Sequence, residues 1–155
     1  MTNDQQALLR AAIVAIRHCA DAMEAQATGL LEALPKAAIS EALRANALEL
    51  TAGLKHASGR VTFELALLQA ELADKKAVAA MAVKRLSAMD ATMMAAVAAM
   101  TDVVDQLEKA AERDPGQEGA FVQVIEATGV MLQRIEKAKA ATETLRAAVP
   151  MAVAK

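Results

Sequence analysis

Apolar residues recur from Leu9 onward at alternating steps of three and four, which places them on one stripe of an α-helix. This run stops at Leu34, because the residue before Pro35 is disfavoured in helical geometry. The pattern predicts a first helix over about residues 4–34, with Asn3 as its N-cap and Gln6 as the reciprocal partner. Its seam consists of Leu9, Ile13, Ile16, Ala20, Met23, Ala27, Leu30 and Leu34.

A second run begins after Pro35, a residue suited to a first helical turn, and contains Ile39, Leu43, Ala47, Leu50 and Leu54. Ser58-Gly59 follows as a possible stop, after the cations Lys55 and His56. One continuous helix through Gly59 is the alternative, because Ala57, Val61, Leu65, Leu68 and Leu72 stay in register. The sequence leaves both open.

The stretch from Arg60 to Glu112 contains no Gly and no Pro. As one helix it would be roughly 80 Å long at the helical rise per residue, too long for a chain of this size. Ser87 and Asp90 have the spacing of a capping box, so we expect the break near Ser87. Beyond it a further heptad seam contains Met93, Val97, Met100, Val104 and Leu107.

Asp114-Pro115-Gly116 is the clearest turn signal in the chain. A last helix is predicted to follow and to end at Pro150. Its seam contains Phe121, Ile125, Thr128, Leu132, Ile135, Ala138, Thr142, Leu145 and Val149.

These segments predict an all-α protein: an antiparallel up-and-down bundle of four to five helices with coiled-coil-like packing, in one domain over residues 1–155. Composition supports this prediction, since 40 residues are Ala and none is Trp or Tyr. Ala is the strongest helix former, and runs of β-branched and aromatic residues typical of strands are absent from the sequence.

Methionines are concentrated in the segment that follows Ser87. Residues 93–100 are apolar on every side of a helix, which indicates burial on all sides, either centrally in the bundle or in an oligomer. We expect a homodimer seam rather than a purely internal core, because the chain has few bulky residues to wrap this helix. The candidate interface residues are Met89, Met93, Met94, Val97 and Met100.

Charge and hydropathy exclude several classes of partner. The net charge is −2, and 17 basic residues are interleaved with 19 acidic ones, so the sequence indicates no nucleic-acid binding. No uncharged stretch approaches the roughly 20 residues of a transmembrane segment. The N-terminus is polar and unlike a secretory signal, so we expect a soluble, cytoplasmic protein.

No pattern typical of catalysis or of metal or cofactor binding stands out. His18 and Cys19 are adjacent and therefore point about 100° apart on a helix, and His56 lies on another segment. A structural zinc site normally takes four ligands from Cys, His and acidic residues, and one Cys with two His on separate segments does not indicate such a set. The pairs Asp102-Asp105 and Glu108-Glu112 are typical of a solvated face. We therefore expect no enzyme, with no catalytic, metal or cofactor residues.

The sequence favours a non-enzymatic helical interaction protein: an adaptor, export chaperone or scaffold that presents a helix face to a protein partner or to a second copy of itself. In composition the chain also resembles the bacterial phasins, which are small, Ala-rich, helical and poor in Cys and Trp. That resemblance implies a coat protein on a hydrophobic granule surface, which is the first alternative. A metal- or ligand-storing helical bundle is the second.

Overall fold

The computed structural model describes residues 1–113 and 118–150, and helices take up 91% of them. Four α-helices follow one another: α1 (Asn3–Ala33), α2 (Glu41–Ala73), α3 (Ala79–Arg113) and α4 (Glu118–Ala148). A short 3-10 helix, Leu34–Lys36, separates α1 from α2. No strand occurs in the described ranges, so the predicted all-α fold is confirmed.

The four helices form an antiparallel bundle in which each helix packs against the next and α4 packs against α1. Side-chain hydrogen bonds give the direction of neighbouring helices. Gln5, at the start of α1, donates to the carbonyl of Ala148 at the end of α4. Ser87, early in α3, accepts from Arg146, late in α4. The up-and-down arrangement predicted from the heptad seams is therefore confirmed, with four helices.

The cap of α1 lies one residue earlier than predicted. Thr2 is the N-cap: its hydroxyl accepts from the Gln5 backbone, and Gln5 Oε1 accepts from the Thr2 backbone, both at 3.1 Å. Asn3 is already the first helical residue, so the prediction of Asn3 and Gln6 as the pair was wrong. Both pairs have the same spacing, and the threonine at the earlier position forms the capping box.

The segment after Pro35 does not continue as an α-helix. Pro35 belongs to the short 3-10 helix, and α2 begins only at Glu41, where the Ser40 hydroxyl accepts from the Leu43 backbone. Gly59 does not interrupt α2, so the continuous alternative is the observed one. Ser58 lies inside the helix, and its hydroxyl donates a hydrogen bond of 2.8 Å to the carbonyl of Ala20 in α1.

The break in the long Gly- and Pro-free stretch lies between Ala73 and Ala79, so the expected break near Ser87 was wrong. Lys75 has a φ of 58°, the left-handed conformation that often ends a helix. The Lys76 and Lys75 amides donate to the carbonyls of Glu71 and Leu72, the bonds of a Schellman motif. Glycine usually occupies this position, so a lysine there gave no stop signal.

The core is continuous through the four helices and almost entirely aliphatic, with Phe121 as its aromatic member. The predicted α1 seam is buried throughout, whereas the predicted α4 seam is partly misplaced. Met131 is buried in α4, and Leu132, which was assigned to the seam, is 40% exposed. The turn predicted at Asp114-Pro115-Gly116 lies outside the described residues.

Candidate functional site: grooves beside α4

The methionine-rich segment is split between the interior and the surface of the bundle. Four of the five candidate interface residues are buried in the core of this chain: Met89, Met93, Val97 and Met100. Only Met94 lies at the surface, where it is 40% exposed. Burial of residues 93–100 on all sides within the bundle, one of the two alternatives, was therefore wrong, because Met94, Ala95 and Ala98 face outward, and their burial in an oligomer stays a prediction.

Met94 lies on one wall of a groove of about 270 Å³ between α3 and α4. Leu132 of α4 lies on the opposite wall, and the buried side chains of Val97 and Ile135 also line the groove. Met94 and Leu132 are each 40% exposed, which leaves apolar surface open to solvent. Glu136 and Lys139 supply one charge of each sign.

Asp90 lies one helical turn before Met94 on α3 and is almost fully buried. Burial raises the pKa of its carboxyl, an effect that nearby Lys139 opposes and Glu143 reinforces. Its Oδ1 atom has no hydrogen-bond partner. A buried acid in this condition is a cost to the fold, because the charged form has lost its water.

Cys19 is fully buried in α1. Burial, reinforced by the negative charge of Asp90, raises the pKa of its thiol to about 12. At neutral pH the group is a protonated thiol, which is a poor nucleophile and a poor metal ligand. Within residues 1–113 and 118–150, no group of three His, Cys, Asp or Glu side chains is placed to hold a metal ion.

A second groove, of about 410 Å³, lies on the other side of α4, against α1. Its apolar lining comes from Ala11, Val14 and Ala15, and Val14 is half exposed. Four basic side chains complete the lining: Arg10, His18, Arg134 and Lys137. Sequence reasoning missed this groove, since two of its basic side chains lie on the first helix and two on the last.

The outer face of α2 is the third exposed apolar surface. Phe63, 66% exposed, is the most exposed large apolar side chain in the part of the chain that the structure describes. Leu67 lies one turn later on the same face. Gly59 lies one turn earlier and borders open space, since a Cβ placed on it would meet no atom within 4 Å. Exposed small residues recur on this face at intervals of seven, at Ala45, Ala52, Gly59, Ala66 and Ala73.

One polar contact lies deep between α1 and α4. The side-chain amide of Gln26 donates to the hydroxyl of Thr128, which itself donates 2.8 Å to the carbonyl of Val124. Gln26 Oε1 has no partner. Both residues are closed off from solvent, so this contact favours one register of α1 against α4 rather than forming a binding site.

In length and composition, one described helix, α3, is apolar enough to cross a membrane, and 39% of its most apolar window is buried inside the bundle. The core helix of a bundle can be equally long and apolar, so the predicted lack of a transmembrane segment is compatible with α3.

Comparison of the chain with protein-family models, with curated proteins and with solved structures found no match in any of the three.

Proposed function

We propose that this chain is a non-enzymatic interaction protein that holds a helix of a protein partner in the groove between α3 and α4. The observation that carries the proposal is the pair Met94 and Leu132, which expose apolar surface over the buried floor of Val97 and Ile135. A helix recognises such a groove through apolar anchors spaced by three and four residues. The chain acts as an adaptor, export chaperone or scaffold in the cytoplasm.

The chemistry of this groove favours a protein partner over a small molecule. Its volume of about 270 Å³ is below that of most ligand pockets, and its charged side chains are one acid and one base at the rim. Methionine adapts to irregular partner surfaces because its side chain is flexible and polarizable. A helix laid along the groove would cover Met94 and Leu132 together.

Site-specific photo-crosslinking tests this function. A crosslinker at Leu132 is expected to yield discrete adducts with a protein in the native cell, and Leu132→Asp is expected to abolish capture of that protein. Val122 provides the matched control, because it lies on the same helix with similar exposure but outside the groove. Equal adducts from both positions, or capture unaffected by Leu132→Asp, would reject the groove as the binding site.

A coat protein on a hydrophobic granule is the second candidate function, and the outer face of α2 favours it. Phe63 projects from a face of small residues, which could lie flat on an apolar surface. The compositional resemblance to phasins points the same way. Binding to hydrophobic polymer particles should then be lost in Phe63→Asp and retained in Leu31→Asp, which changes an exposed apolar side chain at the end of α1, away from this face.

A homodimer remains a prediction, but its contact surface would differ from the one predicted from the sequence. Met93, Val97 and Met100 are internal to each monomer, so a seam in this region would rest on Met94 and Leu132. Such a dimer would compete with the partner helix for the same groove. Sedimentation across a wide concentration range, for the wild type and Leu132→Asp, measures whether self-association uses this surface.

A further inference from the structure

The groove between α1 and α4 differs from the rest of the surface in its charge. Arg10, Arg134, Lys137 and His18 line it together with the apolar side chains around Val14, and no acid is among its lining residues. The whole chain has a net charge of −2. A cationic groove on a slightly acidic protein is therefore a local feature that the total charge conceals.

Arg10, Arg134 and Lys137 have no ion-pair or hydrogen-bond partner among the residues that the structure describes. In the described ranges, ion pairs join Arg85 to Glu71 and Lys109 to Asp105, and none involves the groove. Arg10, Arg134 and Lys137 also lack side-chain hydrogen bonds to described residues, unlike Arg17, which donates to Gln69. Three unneutralised positive charges beside an exposed valine favour a ligand that brings carboxylates and apolar groups together.

The spacing of the basic side chains in this groove matches the length of a short helix. Arg10 and His18 lie eight residues apart on α1, about 12 Å along its axis. The contacts of Gln5 with Ala148 and of Gln26 with Thr128 set an antiparallel register that brings Lys137 closer to His18 than to Arg10. Basic groups over that distance can meet acids on two to three turns of an opposing helix. A ligand with a single carboxylate would neutralise only one part of the groove.

A second copy of this chain is a poor occupant. Its most acidic exposed face, at the end of α3, carries Asp102, Asp105, Glu108 and Glu112, and Asp105 is already paired with Lys109. That face has no exposed large apolar residue to insert beside Val14. An occupant of this groove must carry acidic residues and apolar anchors on the same helix.

We propose that the α1–α4 groove binds an acidic amphipathic helix of a protein partner, in which apolar anchors pack against Val14 and flanking Asp or Glu residues pair with Arg10, Arg134 and Lys137. This surface lies on the opposite side of α4 from the groove beside Met94, so the two binding events are independent. Loss of either one leaves the other intact.

The test uses the full chain and a small set of designed helical peptides of about 14 residues, with leucines at steps of three and four and glutamates on both flanks. A matched set has lysine in place of every glutamate. Binding is measured by fluorescence anisotropy and located by the methyl NMR signals of Val14. We expect the acidic set to bind and shift Val14, with affinity falling between about 50 and 500 mM salt, and the basic set to give no shift.

Lys137→Glu and Lys139→Glu form the decisive pair, because both lysines lie on α4 but line opposite grooves. Lys137→Glu is expected to weaken acidic-peptide binding about fivefold or more, and Lys139→Glu by less than about twofold. Both variants should keep the wild-type dichroism spectrum, since both lysines are exposed.

Four outcomes would overturn the proposal: equal binding of acidic and basic peptides, equal effects of the two lysine variants, no Val14 shift with any acidic peptide, or self-association that Lys137→Glu abolishes. Vesicles of anionic phospholipid form a separate arm. Shifts of Val14 with vesicles and none with peptides would assign the groove to lipid and overturn the protein partner.

Discussion

The two grooves beside α4 both have apolar residues in their linings and differ in their charges. On the α3 side, Met94 and Leu132 are accompanied by one acid and one base, Glu136 and Lys139. On the α1 side, every ionisable side chain that lines the groove beside Val14 is basic. Both grooves lie on the same helix, and lysines two residues apart, Lys137 and Lys139, fall into different grooves.

This difference shows how a repetitive, alanine-rich bundle can hold two distinct surfaces. Exposed apolar surface favours association at both grooves, but the burial of apolar area does not discriminate between partners. Charges supply that discrimination, because a mismatched charge at an interface is costly. Adjacent positions on α4 rotate by about 100°, so a two-residue shift is enough to move a lysine from one side of the helix to the other.

The largest effect should separate the core-facing side of α3 from the side that forms the wall of the α3–α4 groove. Met93 is fully buried and Met94 is 40% exposed, although the two are neighbours in sequence. Met93→Ala should lower the free energy of unfolding by about 2–5 kcal/mol through the lost contacts and the cavity left behind. Met94→Ala should lower it by less than about 0.5 kcal/mol. Urea denaturation of both variants measures the difference, and equal losses would contradict this division of the segment.

A smaller effect is expected at Asp90, the buried acid one helical turn before Met94 on α3. Because burial raises its pKa in the folded state, the folded protein holds this proton more tightly than the unfolded chain. Stability should therefore fall as the pH rises from the unfolded aspartate value, about 3.9, through the raised folded value. Below that window the penalty is absent, and above it the penalty is constant.

Asp90→Asn removes this titration and should raise the free energy of unfolding at neutral pH by about 1 kcal/mol. The gain over the wild type should shrink as the pH falls through the raised folded value and below about 3.9, where the wild-type carboxyl becomes protonated in both states. Thermal unfolding at several pH values gives the comparison. A gain that is independent of pH would show that the charge of Asp90 is not the cause.

The fold was predictable from the sequence because heptad seams dominate it, as the buried seam of α1 shows. The α2–α3 boundary was not, since Lys75 adopts the left-handed conformation without a glycine to mark it. Leu132 was misassigned because an apolar residue one position from the seam looks like part of it. The cationic groove was not predictable either, because it forms only where α1 packs against α4, and no local sequence pattern encodes that contact.

The smallest effect tests the charge difference between the grooves without any ligand. Val14→Asp places a carboxylate among Arg10, Arg134 and Lys137, whereas Leu132→Asp places one beside Glu136, one turn away on the same helix. Each is compared with the uncharged Asn variant at the same position, which cancels the loss of apolar surface and most of the difference in helix propensity. Relative to Asn, Asp should stabilise by about 0.3–0.5 kcal/mol at position 14 and should be neutral or destabilising by a similar amount at position 132. Both differences should shrink as salt is added, because these side chains are exposed to solvent. Chemical denaturation at low and high ionic strength resolves them if the four variants are measured in parallel. The same sign at both positions would mean that the two grooves do not differ in potential, and the assignment of an acidic partner to the α1 side would lose its basis.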